Sequence, residues 1–305
     1  MHMAGLADRP IAPVLKAMNR IIILCLAALT ASACDNLVGN KQPTDPTTPN
    51  ATAVSYTVIG ASDAIGYGSS VTCLPFSECA EGVGYVQLIH KRLKADGKTV
   101  TFLNLGIPGG VLGVTTQTLG NQIGKDILTN FLDNELPFVG KNATLVTVFA
   151  GGNDANTIGS AIEAGLGGSD QNAYITARMN QFKADLKTMM AGIRARAPEA
   201  RVVVLNLPNL AALPYASTYS LTKKRVLQNI AVQISALEND LRVSHGALIV
   251  DLMCDAAFYQ AGAYSSDGFH PNDAGYAHLA DIVYPAASTG IASAPKASCS
   301  QMTLY

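Results

Sequence analysis

Tyr56-Thr-Val-Ile-Gly-Ala-Ser-Asp63, running on to Gly66 and Gly68, is the stretch on which the reading of the chain turns. Tyr56, Thr57, Val58 and Ile59 all favour a strand. Gly60 and Ala61 then permit a sharp turn, and Ser62 and Asp63 open a helical turn. That order sets a hydroxyl at the carboxyl end of a strand. Beside it lie backbone N–H groups of the kind that stabilise an oxyanion. Alone, such a segment is an ordinary strand-to-helix turn, so its meaning depends on the residues downstream of it.

From there on, strands alternate with helical patterns. Val86, Ile89 and Leu93 mark a helix over 83–93, and Asp96-Gly97 closes it. Thr99 to Leu103 reads as a second strand and Thr144 to Phe149 as a third. Ile175, Met179, Phe182, Leu186, Met189 and Ile193 recur at spacings of three and four, the stripe of a long half-buried helix that Pro198 stops. Arg201 to Asn206 reads as a fourth strand. A second stripe, Leu227, Ile230, Ile234, Leu237 and Leu241, runs to Gly246, and Ala247 to Asp251 forms the fifth strand. Asn272 or Asp273 caps a last helix carrying Tyr276, Leu279 and Ile282. Five such alternations predict a parallel sheet with helices on both faces, an α/β/α sandwich. Ligands of such sheets bind at the carboxyl ends of the strands.

The chain has 305 residues, of which 49% are hydrophobic and 14% charged, enough for one large core. A net charge of −1, a pI near 6.5 and the absence of tryptophan give no case for nucleic acid. The amino terminus has a separate character. Lys16 and Arg20 precede the apolar run Ile21 to Leu29, and Thr30-Ala-Ser-Ala-Cys34 comes next, the order of an export signal with small residues at its cleavage site. Met18 is a candidate start. Residues 1–33 are read as that signal. Cys34 looks like the lipidated cysteine of a bacterial lipoprotein, although Ala31 stands where leucine is usual. Residues 34–53, with Pro43, Pro46 and Pro49, read as a tether of roughly 60 Å at full stretch. The globular domain is expected over 54–305.

Of six cysteines, Cys25 leaves with the signal and Cys34 is acylated in this reading. Cys73, Cys79, Cys254 and Cys299 remain, an even set in an exported protein that allows three pairings. Cys73–Cys79 closes a short loop and Cys254–Cys299 pins the carboxyl-terminal tail; the alternative leaves Cys254 a buried thiol. No cluster has metal-ligand spacing, so neither metal nor cofactor is expected.

Four clusters stand at strand ends or before the last helix: Gly60-Ala-Ser62-Asp63; Asn104-Leu-Gly-Ile-Pro-Gly109-Gly110; Gly151-Gly-Asn153-Asp154; and Asp267-Gly-Phe-His270-Pro271. Together and in this order they resemble the SGNH hydrolases, the GDSL family of esterases and lipases, over roughly residues 54–286. The resemblance implies a flavodoxin-like five-stranded fold and ester hydrolysis. It implies Ser62 as nucleophile, His270 as base, Asp267 as its orienter, and an oxyanion hole from the N–H groups of Ser62 and Gly109 and the amide of Asn153. The chemistry fits these types: serine needs a base, and a histidine supplies one near neutral pH. A carboxylate three residues earlier orients the imidazole. His2, His90, His245 and His278 have no such setting. The family's Gly-Asp-Ser-Leu is here Gly-Ala-Ser-Asp, and Pro108 precedes Gly109 where a small residue is common.

The expected partner is a small-molecule or polymer-borne ester, the expected state a monomer held to the membrane by its amino-terminal lipid. A carbohydrate deacetylase, a thioesterase and an inactive surface-binding lipoprotein are the alternatives. Residues 155–172 and the loop Cys73 to Phe76 are expected to form a mobile rim and a wall of the site.

Overall fold

The computed structural model describes residues 52–305; the expected export signal, Cys34 and the tether up to residue 51 lie outside them. Five strands form one parallel sheet: β1 (Ala53–Ile59), β2 (Thr99–Asn104), β3 (Leu145–Phe149), β4 (Arg201–Leu205) and β5 (Leu248–Val250), in the order β2-β1-β3-β4-β5. All four neighbouring pairs are parallel. β3 is buried at every residue, as a central strand covered on both faces must be, whereas the edge strand β2 alternates between exposed and half-buried positions over its first four residues and is fully buried only at Asn104. The α/β sandwich is therefore the one the alternation predicts.

The order has a direct consequence for function. From β1 the chain crosses to β2 on one side and then returns to β3 on the other, so the switch point lies between β1 and β3. There the loops leave in opposite directions and open a crevice. Ser62 follows β1 and Asn153 follows β3.

Eight α-helices cover the sheet among the described residues: α1 (Tyr85–Ala95), α2 (Val114–Gln122), α3 (Phe131–Asn134), α4 (Gly152–Glu163), α5 (Gln171–Arg196), α6 (Leu221–Asn239), α7 (Leu241–His245) and α8 (Asp273–Thr289). α1 packs on α8, while α4 packs on α2, α5 and α6. The α5 stripe is buried from Ile175 to Ile193, and the Asp170 side chain caps the helix by accepting from the Ala173 N–H at 2.9 Å. The second stripe is broken by Asp240, so α6 and α7 are separate, and Gly246 ends α7 in a left-handed conformation. Asn272 caps α8 by accepting from the N–H groups of Ala274 and Gly275.

Gly159, Ser160, Ile162, Glu163 and Gln171 do line a cleft, as the expected rim over 155–172 requires, but the first part of that segment is regular. Gly152–Glu163 is helical because Ala155, Ile158, Ala161 and Ile162 make one buried face, which outweighs the helix penalty of Gly159, and turns follow over 164–169. One expectation is corrected. The Cys73 to Phe76 loop does not line the cavities at the strand ends. Its Phe76 N–H donates to the Asn104 carbonyl and its ring meets Phe138 edge-on.

Cys73–Cys79 and Cys254–Cys299 are both disulfides. The second joins positions 45 apart and fixes the tail, whose Leu304 and Tyr305 N–H groups donate to Gln228 Oε1. Closing a loop of that length removes unfolded-state entropy worth about 4 kcal/mol. A Cys254→Ser/Cys299→Ser double variant should lose on the order of that amount in urea titration, with an m value that rises because the unfolded chain is no longer cross-linked. A midpoint within error of wild type would contradict this account of the tail.

Candidate active site

A four-residue 3₁₀ turn, Ser62–Ile65, starts straight after β1. Its first residue is 7% exposed, and Ser62 Oγ lies 2.8 Å from His270 Nε2. On the other edge of the imidazole, Nδ1 lies 2.6 Å from Asp267 Oδ2. An ionised carboxylate only accepts, so Nδ1 carries the proton; in the neutral ring Nε2 is then the acceptor and the Ser62 hydroxyl the donor. Asp267, His270 and Ser62 thus form one continuous hydrogen-bonded chain.

Asp267 is held as an acceptor on both oxygens. Its Oδ1 accepts from the Ser265 hydroxyl at 2.8 Å and from the Phe269 and His270 N–H groups at 2.8 and 2.9 Å. Burial alone would raise its pKa, but the bonds from His270, Phe269 and Ser265 outweigh that and hold it down to about 2. The ring is steadied by Tyr67, whose centroid stands 4.7 Å away edge-on, and by Phe269 at 4.9 Å. Gly68 touches this ring's base: a Cβ there would stand 2.8 Å from His270 Cβ.

The second cluster forms a tight turn. The Gly110 N–H donates to the Ile107 carbonyl at 3.1 Å, with Pro108 and Gly109 in between. Gly109 has φ of +76°. Proline then a positive-φ glycine is the sequence a type II turn demands, which accounts for Pro108. Asn104 ties this turn to the 3₁₀ turn of Ser62: its Nδ2 donates to the Ala64 carbonyl at 2.7 Å, and its Oδ1 accepts from the Gly106 N–H at 3.0 Å. Asn153, in the first turn of α4, donates from Nδ2 to the Gly110 carbonyl at 2.9 Å. An amide nitrogen has two hydrogens, so one is left over. The N–H groups of Ser62 and Gly109 make no hydrogen bond among the described residues.

Asn153 is also where the space of the site converges. It lines a cavity of about 30 Å³ with Ala61, Asp63 and Gly110, and a cleft of about 490 Å³ with Asn156, Tyr215, Tyr219 and Lys223. A third cleft of about 350 Å³ runs past Pro108 and Gly109. The other described histidines are engaged elsewhere. His90 stacks on Phe102, His245 meets Ser244, and His278 pairs with Asp255.

Three buried acids around the strand ends escaped the sequence reading as functional elements. Glu135 Oε2 accepts from the Gly60 N–H at 2.9 Å, two residues before Ser62. Glu238 Oε2 accepts from the Leu207 N–H at 2.7 Å, just beyond β4. Asp154 accepts from the Leu112 N–H with both oxygens, at 3.2 and 3.1 Å. Ala61 lacks the carboxylate that the family usually has there, and Glu135 reaches the same turn from another segment. Phe131-Leu-Asp-Asn-Glu-Leu-Pro-Phe138 mixes two acids and an amide with apolar residues, so nothing in it singles out Glu135. Desolvation raises all three pKa values, Glu135 and Glu238 well above the ordinary range and Asp154 to about 7.

A five-stranded 2-1-3-4-5 sheet with a Ser–His–Asp chain at its switch point is the arrangement of the SGNH hydrolases. The chain belongs to the GDSL-like lipase/acylhydrolase family, whose model matches residues 58–278, and is therefore an ester-hydrolysing enzyme. Its fold is that of the extracellular lipase from Streptomyces rimosus, with 20% identity, 77% of this chain and 100% of that one covered, and a TM-score of 0.50. The lipase Lip_vut3 from a goat rumen metagenome is 16% identical over 76% of this chain and 97% of its own, with a TM-score of 0.51. No curated protein sequence is significantly similar to this chain.

Asp154 yields a pH test. Its pKa is raised on folding, so the stability it contributes is whole below about pH 4 and is lost as pH climbs to about 7. The loss has a ceiling of about 4 kcal/mol. Asp154→Asn should flatten that fall when melting is compared at pH 4.5 and 7.5. Glu135 acts alike in both proteins and cancels in the difference, whereas Glu238, whose pKa the Asp154 charge helps to raise, is relieved in the variant and adds to the flattening. An equal fall in wild type and variant would contradict the assignment.

Proposed function

We propose that the protein is an exported, lipid-anchored serine esterase in which Ser62, His270 and Asp267 act as the catalytic triad. The observation that carries the reading is the hydrogen-bonded chain from Ser62 Oγ through both imidazole nitrogens to Asp267. In the first half-reaction Oγ attacks the ester carbonyl as Nε2 takes its proton. The tetrahedral oxyanion meets the N–H groups of Ser62 and Gly109 and the spare amide hydrogen of Asn153. The C–O bond to the alcohol then breaks, and His270 returns the proton to the leaving oxygen. In the second half-reaction water attacks the acyl-Ser62 ester by the same proton path and releases the acid. Asp267 stays ionised and fixes the imidazole tautomer.

The roles separate by kinetics on p-nitrophenyl acetate. Ser62→Ala and His270→Ala should each remove roughly 10⁶ in kcat, and Asp267→Asn roughly 10⁴. Asn153→Ala should cost about 10²–10³, with little change in KM. Because these groups act as a unit, Ser62→Ala/Asn153→Ala should be hardly worse than Ser62→Ala alone. Full activity in Ser62→Ala would remove the assignment. A panel of p-nitrophenyl esters from acetate to palmitate ranks acyl length. The wide cleft with Tyr215, Tyr219, Asn156 and Lys223 favours, as a second reading, removal of acetyl groups from a carbohydrate, so acetylated xylan belongs in the panel.

The anchor is supported by the order of residues 16–34, a basic start, an apolar run and small residues ending at Cys34. Globomycin should block its maturation and the mature protein should partition into detergent. A freely soluble mature form that starts elsewhere would exclude it.

A further inference from the structure

Asp63 directly follows Ser62 and, among the described residues, is the only charged one lining the 30 Å³ cavity at the head of the site. Most of the wall is apolar, with Phe131, Phe149, Phe258 and Phe269 on it; Asn153 is the only other polar side chain. Asp63 is half-buried, and its carboxylate accepts no hydrogen bond from any other described residue. Its pKa is raised, chiefly by burial, with His270 opposing the rise.

The contrast with the neighbouring acids is informative. Glu135, Asp154 and Glu238 each accept a backbone N–H from a loop beyond a strand end, so each has a structural use. Asp63 supports nothing of that kind. The carboxylate takes a hydrogen bond from its own backbone N–H, and as a half-buried acceptor with two oxygens it keeps further acceptor capacity on the side that lines the cavity. A cavity of this size has room for a group no larger than a water molecule or a terminal hydroxyl.

We propose that Asp63 forms a substrate subsite for a hydrogen-bond donor, a hydroxyl or an ammonium carried within a few atoms of the scissile ester. The assignment rests on Ser62 being the nucleophile. It makes hydroxylated or aminated short esters the preferred class over plain aliphatic ones, and it makes Asp63 a specificity-determining residue. A site that binds a substrate hydroxyl through a buried partner rejects the analogue that lacks it, since the partner is then left unpaired.

Two isosteric pairs, followed by pH-stat, test this. Ethyl glycolate against ethyl propionate exchanges a hydroxyl for a methyl on the acyl side. 2-Hydroxyethyl acetate against propyl acetate does so on the alcohol side. Each ratio of kcat/KM is divided by the ratio of the hydroxide-catalysed rates, which removes intrinsic reactivity. Wild type should favour the hydroxyl-bearing member of one pair by about 10–100-fold, the discrimination expected of a hydrogen bond to a charged group. Asp63→Leu should reverse that preference and Asp63→Asn should lose most of it. Wild-type ratios near unity for both pairs would overturn the proposal, as would a preference that survives in both variants. If Asp63→Leu does not fold, wild type and Asp63→Asn decide. Ser62-dependent turnover of p-nitrophenyl acetate in the same preparation separates failure of this subsite from failure of the triad.

Discussion

The hydrogen bond between Ser62 Oγ and His270 Nε2 joins residues 208 positions apart, and the architecture around the site serves to hold it. One end is fixed by β1 and the 3₁₀ turn that follows. The other end belongs to a short loop before α8, which has little regular structure of its own. That loop is secured by local bonds: the Ser265 N–H donates to the His270 carbonyl at 2.8 Å, and the Tyr215 N–H to the Gly268 carbonyl at 3.0 Å. The Asn272 cap then turns the chain into α8. Asp267 does two jobs in this loop, since it binds the imidazole and two backbone N–H groups at once. Removing its carboxylate therefore acts on geometry as well as on the charge beside the imidazole.

The second constraint is electrostatic. Strands that end at a crevice leave backbone N–H groups without partners in the sheet, and buried N–H groups must be satisfied. Here carboxylates do this beside β1, β4 and the loop before α2, through Glu135, Glu238 and Asp154. Each fixes a loop at the mouth of the site with a side chain from a different part of the chain. The arrangement opposes stability as pH rises, because desolvation disfavours the charged forms. Loops tied down beside Ser62 and a contribution to stability that these three acids lose as they ionise are thus two results of one choice of residues.

Much of this was legible in the sequence. Five strands, two long apolar stripes and the cap at Asn272 are local patterns, and local patterns survive into the fold. Ser62, Asn153, Asp267 and His270 were legible because their types, order and places at strand ends match a chemistry. α2 was not, because Val114–Gln122 mixes threonine, glutamine and glycine without an apolar period. α4 was hidden by Gly152 and Gly159, although Ala155, Ile158, Ala161 and Ile162 carry its buried face. Glu135 had no legible role since its partner, Gly60, lies 75 positions away and is a backbone group. The clefts that meet at Asn153 come from segments spread from residue 61 to residue 269, and no periodicity encodes their meeting.

The central claim is that Ser62 is the nucleophile. Reaction with a fluorophosphonate, followed by digestion and peptide mass spectrometry, tests it most directly. The account predicts inactivation in step with the addition of one phosphonyl group, placed on Ser62, and no labelling of the His270→Ala variant at the same rate. Inactivation with Ser62 unmodified, or an adduct on another residue, would contradict it.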